Sequence, residues 1–160
     1  LRVEPVSLAM VDHLSLKVRP ERLDLADPAA LAVNGYDAAL WGDAVSLELA
    51  LAKLSELLRG AVLAGHNVGF DWSFLCRAFN RVDLPLPELD YHRLDTASLA
   101  WLLVACGESR SVSLDAVTQA LGLARPRPHR ALDDALAALA VARKLRDRIA
   151  LGHSWTEVQA

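Results

Sequence analysis

A four-residue apolar run, Ala61-Val62-Leu63-Ala64, stands between Gly60 and Gly65. It is too short for a helix and lacks polar alternation, the pattern of a strand buried on both faces. Helical patterns flank it. Upstream, Leu47, Leu51, Leu54 and Leu58 recur at i, i+4, i+7 and i+11, with Asp43 as the expected N-cap and Gly60 as the stop. Downstream, a helix is expected over about Asp71 to Asn80. A buried strand between helices needs a sheet with helices packed on its faces, so the chain reads as α/β.

The remaining punctuation agrees. Val6 to Met10 and Leu14 to Val18 are expected to form a tight pair of strands, closed by Arg19-Pro20. Residues 20–42 carry loop chemistry with one short helical piece. Tyr91 to Leu94 reads as a short edge strand, and Asp95 to Cys106 as a helix stopped by Gly107. Ser113 caps a short helix ended by Gly122, and a last helix runs from about Arg130 to Arg148. The expectation is a mixed central sheet within one domain over 1–150, followed by a tail over 151–160 that holds Trp155.

With 53% hydrophobic residues and a net charge of −3, the 160-residue chain has material for a core but no general basic surface. Phosphate backbones are bound mainly by Lys and Arg, so a nucleic-acid role requires a local site, and carboxylates that recruit cations would serve. Cys76 and Cys106 both lie in apolar helical patterns and read as small buried hydrophobes, not as a disulfide or zinc site. No apolar stretch approaches the roughly 20 residues that span a bilayer. A cytoplasmic protein without membrane contact is expected.

Three segments carry chemistry. In Gly65-His66-Asn67-Val68-Gly69-Phe70-Asp71, a buried strand ends in a Gly-bounded loop with an acid in the following helix. Ligands of α/β sheets bind beyond the carboxyl ends of strands. Asp71 shares a helical stripe with Phe74, Leu75, Ala78 and Val82 and is expected to point toward the core edge; a plain helix-start Asp, favoured by the dipole, is the other reading. In Pro128-His129-Arg130-Ala131-Leu132-Asp133-Asp134, His129 is placed at the helix start. Asp134 aligns with Ala138, Val141 and Leu145, whereas Asp133 aligns with Ala137, Ala140, Lys144 and Asp147, so Asp134 is the candidate site acid and Asp133 the solvated one. A capped helix with a surface His is the alternative. Asp95 heads the third segment; capping is its first reading and support of the site its second. The stretch Arg125 to Arg130 is the basic cluster and stands as either a phosphate contact or a solvated loop.

In order and spacing these segments resemble the DEDDh exonucleases, the proofreading-type family of the ribonuclease H-like superfamily that includes polymerase proofreading subunits, RNase T and oligoribonuclease. His66-Asn67-Val68-Gly69-Phe70-Asp71-Trp72-Ser73-Phe74-Leu75 is similar to the family's second motif. His129, Ala131 and Asp134 match its His-x-Ala-x-x-Asp. Asp95-Thr96, Ser113-Leu114-Asp115, Leu121-Gly122-Leu123 and the segment Ala29 to Tyr36 resemble further family positions. The resemblance implies a three-layer α/β/α fold and a 3′→5′ exonuclease that releases 5′-nucleoside monophosphates from single-stranded DNA or RNA 3′ ends. It implies two Mg²⁺ or Mn²⁺ ions about 3.5–4 Å apart, with Asp71 and Asp134 as ligands, His129 as general base and Asp95 in support. His66, Asn67 and Phe70 would contact the nucleotide, and a polymerase or other protein is a possible partner. For Phe70 and Trp72, core packing is preferred to base stacking.

The family's first motif, Asp-x-Glu, has no counterpart here; Arg2-Val3-Glu4 imitates it only with Arg in place of Asp. The expectation is that on the order of 10–20 residues, about one strand and its turn, lie upstream of Leu1, and that the stretch as written is weakly active or inactive. The alternatives are a catalytically inactive exonuclease-fold domain that binds nucleic acid or a protein, and an unrelated α/β domain whose acids are helix caps.

Overall fold

The computed structural model describes residues 1–33, 35–124 and 130–150. Helices dominate it. β1 (Arg2–Val3) and β2 (Met10–Asp12) form an antiparallel pair, and β3 (Leu63–Gly65) and β4 (Arg93–Asp95) a parallel one. Around them stand α1 (Pro28–Val33), α2 (Leu47–Leu58), α3 (Val68–Arg81), α4 (Thr96–Ala105), α5 (Leu114–Ala120) and α6 (Ala131–Ala150).

The expected strand after Gly60 forms, with Leu63, Ala64 and Gly65 opposite Arg93, Leu94 and Asp95. Its apolar side packs Leu63 into a cluster with Leu51 and Leu58 of α2 and Phe79 of α3. A second cluster joins Ala100 and Leu103 of α4, Val117 of α5, Leu121, and Val141 and Leu145 of α6. β3 touches α3, α4 and α6, so both helical groups meet at this strand. Helices pack on this strand, as an α/β fold requires, but the expected burial on both faces is not seen: in a pair of only two strands Ala64 is exposed and Val62 is 49% exposed.

The amino-terminal strands differ from expectation. Arg2–Val3 pairs with Met10–Asp12, so Val6 falls in the connection and is 80% exposed. Leu14 to Val18 forms no strand, only a parallel bridge from Val18 to Val45. The reason lies in Glu4, whose carboxylate accepts the N–H groups of Val6 and Ser7 and curls the chain away from extension. This hairpin is tied to α6: Arg143 donates to the Leu8 carbonyl through Nε (3.0 Å) and Nη2 (2.6 Å), and Arg146 donates to that of Ser7.

Helix ends follow local chemistry. Ser46, not Asp43, caps α2 by accepting the Leu49 N–H, while Asp43 pairs with Lys17 at 3.0 Å. Ser113 caps α5 and Asp95 caps α4, both as expected. Cys76 and Cys106 are free and half-buried. Among the described residues no helix is long and apolar enough to cross a membrane.

Candidate active site

The carboxyl end of β3 delivers Gly65 and His66 to a turn whose next residue, Asn67, has φ of 68°. Asn tolerates this left-handed conformation better than most side chains. The turn lets α3 begin at Val68, three residues earlier than the sequence pattern suggests, and puts Asp71 in its first turn.

Two side chains, Asp95 and His66, pin the turn. The Asn67 N–H donates to Asp95 Oδ1 (2.8 Å), which also accepts the Ala97 N–H (3.0 Å); Ser98 Oγ donates to Asp95 Oδ2 (3.0 Å). Asp95 therefore caps α4 and clasps the β3–α3 turn with the same carboxylate. Partial burial pushes its pKa up, but these N–H and O–H donors, with Val68, outweigh that and hold it below the ordinary carboxylate value. The lowered value means Asp95 adds stability above the ordinary carboxylate range and loses it as pH falls through the lowered value. Asp95→Ala should cost about 1–2 kcal/mol in urea unfolding at neutral pH, and Asp95→Asn less, because an amide oxygen still caps.

His66 is the second clasp. Nε2 donates to the Val112 carbonyl at 2.8 Å, and Nδ1 lies 2.9 Å from Thr96 Oγ1, which in turn donates to the Gly65 carbonyl at 3.1 Å. Both ring nitrogens thus have protein partners that tie the turn to α4 and to the segment before α5. Thr96, 2% exposed, is the partner that the sequence reading did not single out.

Asp71 stands one turn into α3, with its carboxylate close to Gly65. A Cβ on Gly65 would lie 3.3 Å from Asp71 Oδ2 and 3.7 Å from Val68 Cα, so glycine is what leaves room for the carboxylate. The residue as a whole is exposed, contrary to the inward orientation expected, but its carboxyl is crowded on the β3 side. Burial of that group pushes its pKa up; its own amide N–H opposes this and the nearby Asp95 charge adds to it. Gly65→Ala should displace the carboxylate by a few tenths of an ångström and lower any hydrolysis that uses it by roughly tenfold. The melting temperature should change little. Equal turnover in that variant would show that the close approach is unimportant.

The aromatic residues also depart from expectation. Phe70 is 58% exposed and Phe74 53%, because the inward stripe of α3 is Val68, Leu75, Phe79 and Val82. Trp72 is half-buried under the Arg93 guanidinium, 4.2 Å from its ring centroid.

Asp134 heads the α6 stripe whose Ala138, Val141 and Leu145 are buried, as the pattern requires. Asp133, expected to be solvated, is as half-buried as Asp134, so burial does not separate the two. His129 and the basic residues Arg125 and Arg127 lie outside the described residues, as does the 151–160 tail. The structure thus brings His66, Asn67, Asp71 and Asp95 together and carries Asp134 on a helix that touches β3.

Carboxylate oxygens are the donors that Mg²⁺ and Mn²⁺ prefer. The crowded Asp71 carboxylate, which also feels the charge of Asp95, fits a cation that would offset that charge. Among the described residues no three His, Cys, Asp or Glu side chains converge as a complete ligand group.

The chain is similar in sequence to known proteins. The profile of the RNase T family, described as exonuclease, matches residues 7–142. A Mycobacterium tuberculosis protein provisionally named a bifunctional exonuclease/endonuclease is 34% identical over 122 residues, covering 76% of this chain and 19% of that protein. A PolC-type DNA polymerase III of Thermotoga petrophila is 32% identical over 128 residues, 79% of this chain and 9% of that protein. A DNA polymerase III subunit epsilon-like protein of Rhodobacter capsulatus is 33% identical over 140 residues, 82% of this chain and 19% of that protein. The chain spans a fifth or less of the length of these relatives. It belongs to the RNase T exonuclease family, with the α/β fold and nuclease character of DEDDh-type enzymes.

Proposed function

We propose that the chain carries most of the catalytic domain of a divalent-metal-dependent 3′→5′ exonuclease acting on single-stranded nucleic acid. The observation that supports this most is the Asp71 carboxylate, held at the end of β3 against Gly65 and opposite Asp95. Burial pushes the pKa of this carboxyl up, so its charged form does not stabilise the fold at neutral pH. A catalytic task explains the arrangement.

In this reading Asp71 and Asp134 hold two Mg²⁺ or Mn²⁺ ions. When bound, such ions supply Lewis acidity and offset charge on the phosphate. His129 accepts a proton from the water whose oxygen attacks phosphorus. The P–O3′ bond breaks, the terminal residue leaves as a 5′-monophosphate, and the departing oxygen becomes the new 3′-hydroxyl. His66 and Asp95 keep the Asn67 turn in place, and the exposed ring of Phe70 stacks on a base of the bound strand. Stacking reads no sequence, which suits stepwise trimming. By analogy with its PolC-type and epsilon-like relatives, the domain would work with a DNA polymerase.

The test is a strand labelled at either end, incubated with the protein that carries this domain and Mg²⁺. Release of labelled mononucleotide from the 3′ end at the earliest times is the expected result. Release from the 5′ end, or internal cuts first, would refute the polarity, and identical products in EDTA would refute the metal dependence.

A further inference from the structure

One face of α3 has no part in either core cluster. Phe70, Phe74 and Arg77 lie on it at i, i+4 and i+7, on the side opposite Val68 and Phe79. Exposed aromatic rings of this size usually have a use, since burying either one elsewhere would stabilise the fold.

The three side chains are already organised. The Phe70 and Phe74 rings lie 4.6 Å apart at 39°, and the Arg77 guanidinium sits 4.8 Å from the Phe74 centroid. Ser73 locks the array from beneath. Its hydroxyl donates to the Phe70 carbonyl (2.8 Å), and Arg77 donates to Ser73 through Nε to the carbonyl (3.1 Å) and Nη2 to Oγ (3.2 Å). Among the described residues this leaves Arg77 Nη1 for an outside acceptor.

We propose that this stripe is a wall for the single strand upstream of the scissile nucleotide, with bases against Phe70 and Phe74 and a phosphate at Arg77. The inference rests on the nuclease reading above and names a contact beyond it. Three features select this occupant. The stripe starts at the residue next to Asp71, so it is continuous with the candidate site. It joins flat π-faces to a guanidinium, which matches alternating bases and phosphates. Seven residues of helix rise about 10 Å, the length of about three stacked nucleotides. A chain of net charge −3 also needs such a local anchor to hold a polyanion.

The test measures fluorescence anisotropy of labelled oligothymidines in EDTA, which prevents metal-dependent cleavage. A strand of about eight nucleotides is compared with a dinucleotide. Phe74→Ala should weaken the longer strand roughly tenfold and leave the dinucleotide unchanged. Phe74→Leu, which keeps apolar bulk without a π-face, should lose nearly as much. Arg77→Gln should flatten the dependence of log Kd on log salt by about 0.7 for the longer strand, the value of one single-strand phosphate. Both positions are exposed, so melting temperatures should match the parent. Parent-like affinity in all three variants, or an equal loss on both lengths, would overturn the wall. A protein partner would then be the better occupant. Failure of the nuclease reading is seen separately, as no Mg²⁺-dependent hydrolysis despite length-dependent binding.

Discussion

Asp71→Asn is expected to abolish nearly all hydrolysis, on the order of a thousandfold, and to raise the melting temperature of the metal-free protein. The two effects have one cause. Burial against Gly65 and the charge of Asp95 make ionised Asp71 unfavourable in the folded state, so its folded pKa lies above the unfolded one. The folded state therefore binds the extra proton between those two values. Stability falls as pH rises from the ordinary carboxylate range, near about 3.9, through the raised value, and stays at the lower level beyond it. A neutral amide of the same shape escapes that penalty at neutral pH. Initial rates with Mg²⁺ and thermal melts in EDTA measure the pair. Full turnover with an unchanged melt would mean that Asp71 is an ordinary helix-start acid, and the candidate site would lose its centre.

The same residue shows what the sequence reveals and what it hides. The short apolar run before Gly65 identified β3, and the leucine spacing identified α2, because burial imposes a periodicity that survives in one dimension. The start of α3 did not show, because Asn67 enters the helix through a left-handed turn and Gly69 stands where a glycine normally argues against a helix. Phe74 was assigned to the inward stripe beside Leu75. Adjacent helical positions are separated by about 100°, and the packing against Leu51 and Leu58 selected Leu75. The amino-terminal strands were misplaced for a related reason: Val6 and Leu8 look like strand residues, but the Glu4 carboxylate bends the chain before they can pair.

At the site, residue types were legible and roles were not. His66 stands in a motif, but its ring nitrogens are spent on Val112 and Thr96, 46 and 30 positions away. No local pattern reports a partner at that distance. Asp95 read first as a cap, which it is; its grip on the Asn67 N–H, 28 positions back, appears only when β3 and β4 lie side by side. Gly65 carried the one clue that was available. A glycine that ends a strand and precedes a candidate acid marks a close approach, and here the approaching group is the carboxylate of Asp71.

His129→Ala should slow hydrolysis by about 10²–10⁴-fold, the range of a lost general base, while Mn²⁺ binding followed by calorimetry stays near the parent. An imidazole must be unprotonated to take the proton of the attacking water. Parent turnover should therefore rise with pH across the range where an ordinary imidazole titrates, around 6.5, and this rise should vanish in the variant. The pH profile separates a base from a ligand. Loss of a ligand lowers metal affinity and can be offset by more Mn²⁺, whereas loss of a base is insensitive to metal concentration. If saturating Mn²⁺ restores the His129→Ala rate, the imidazole acts as a ligand. A variant that keeps the parent's rate and its pH limb would place the proton acceptor elsewhere.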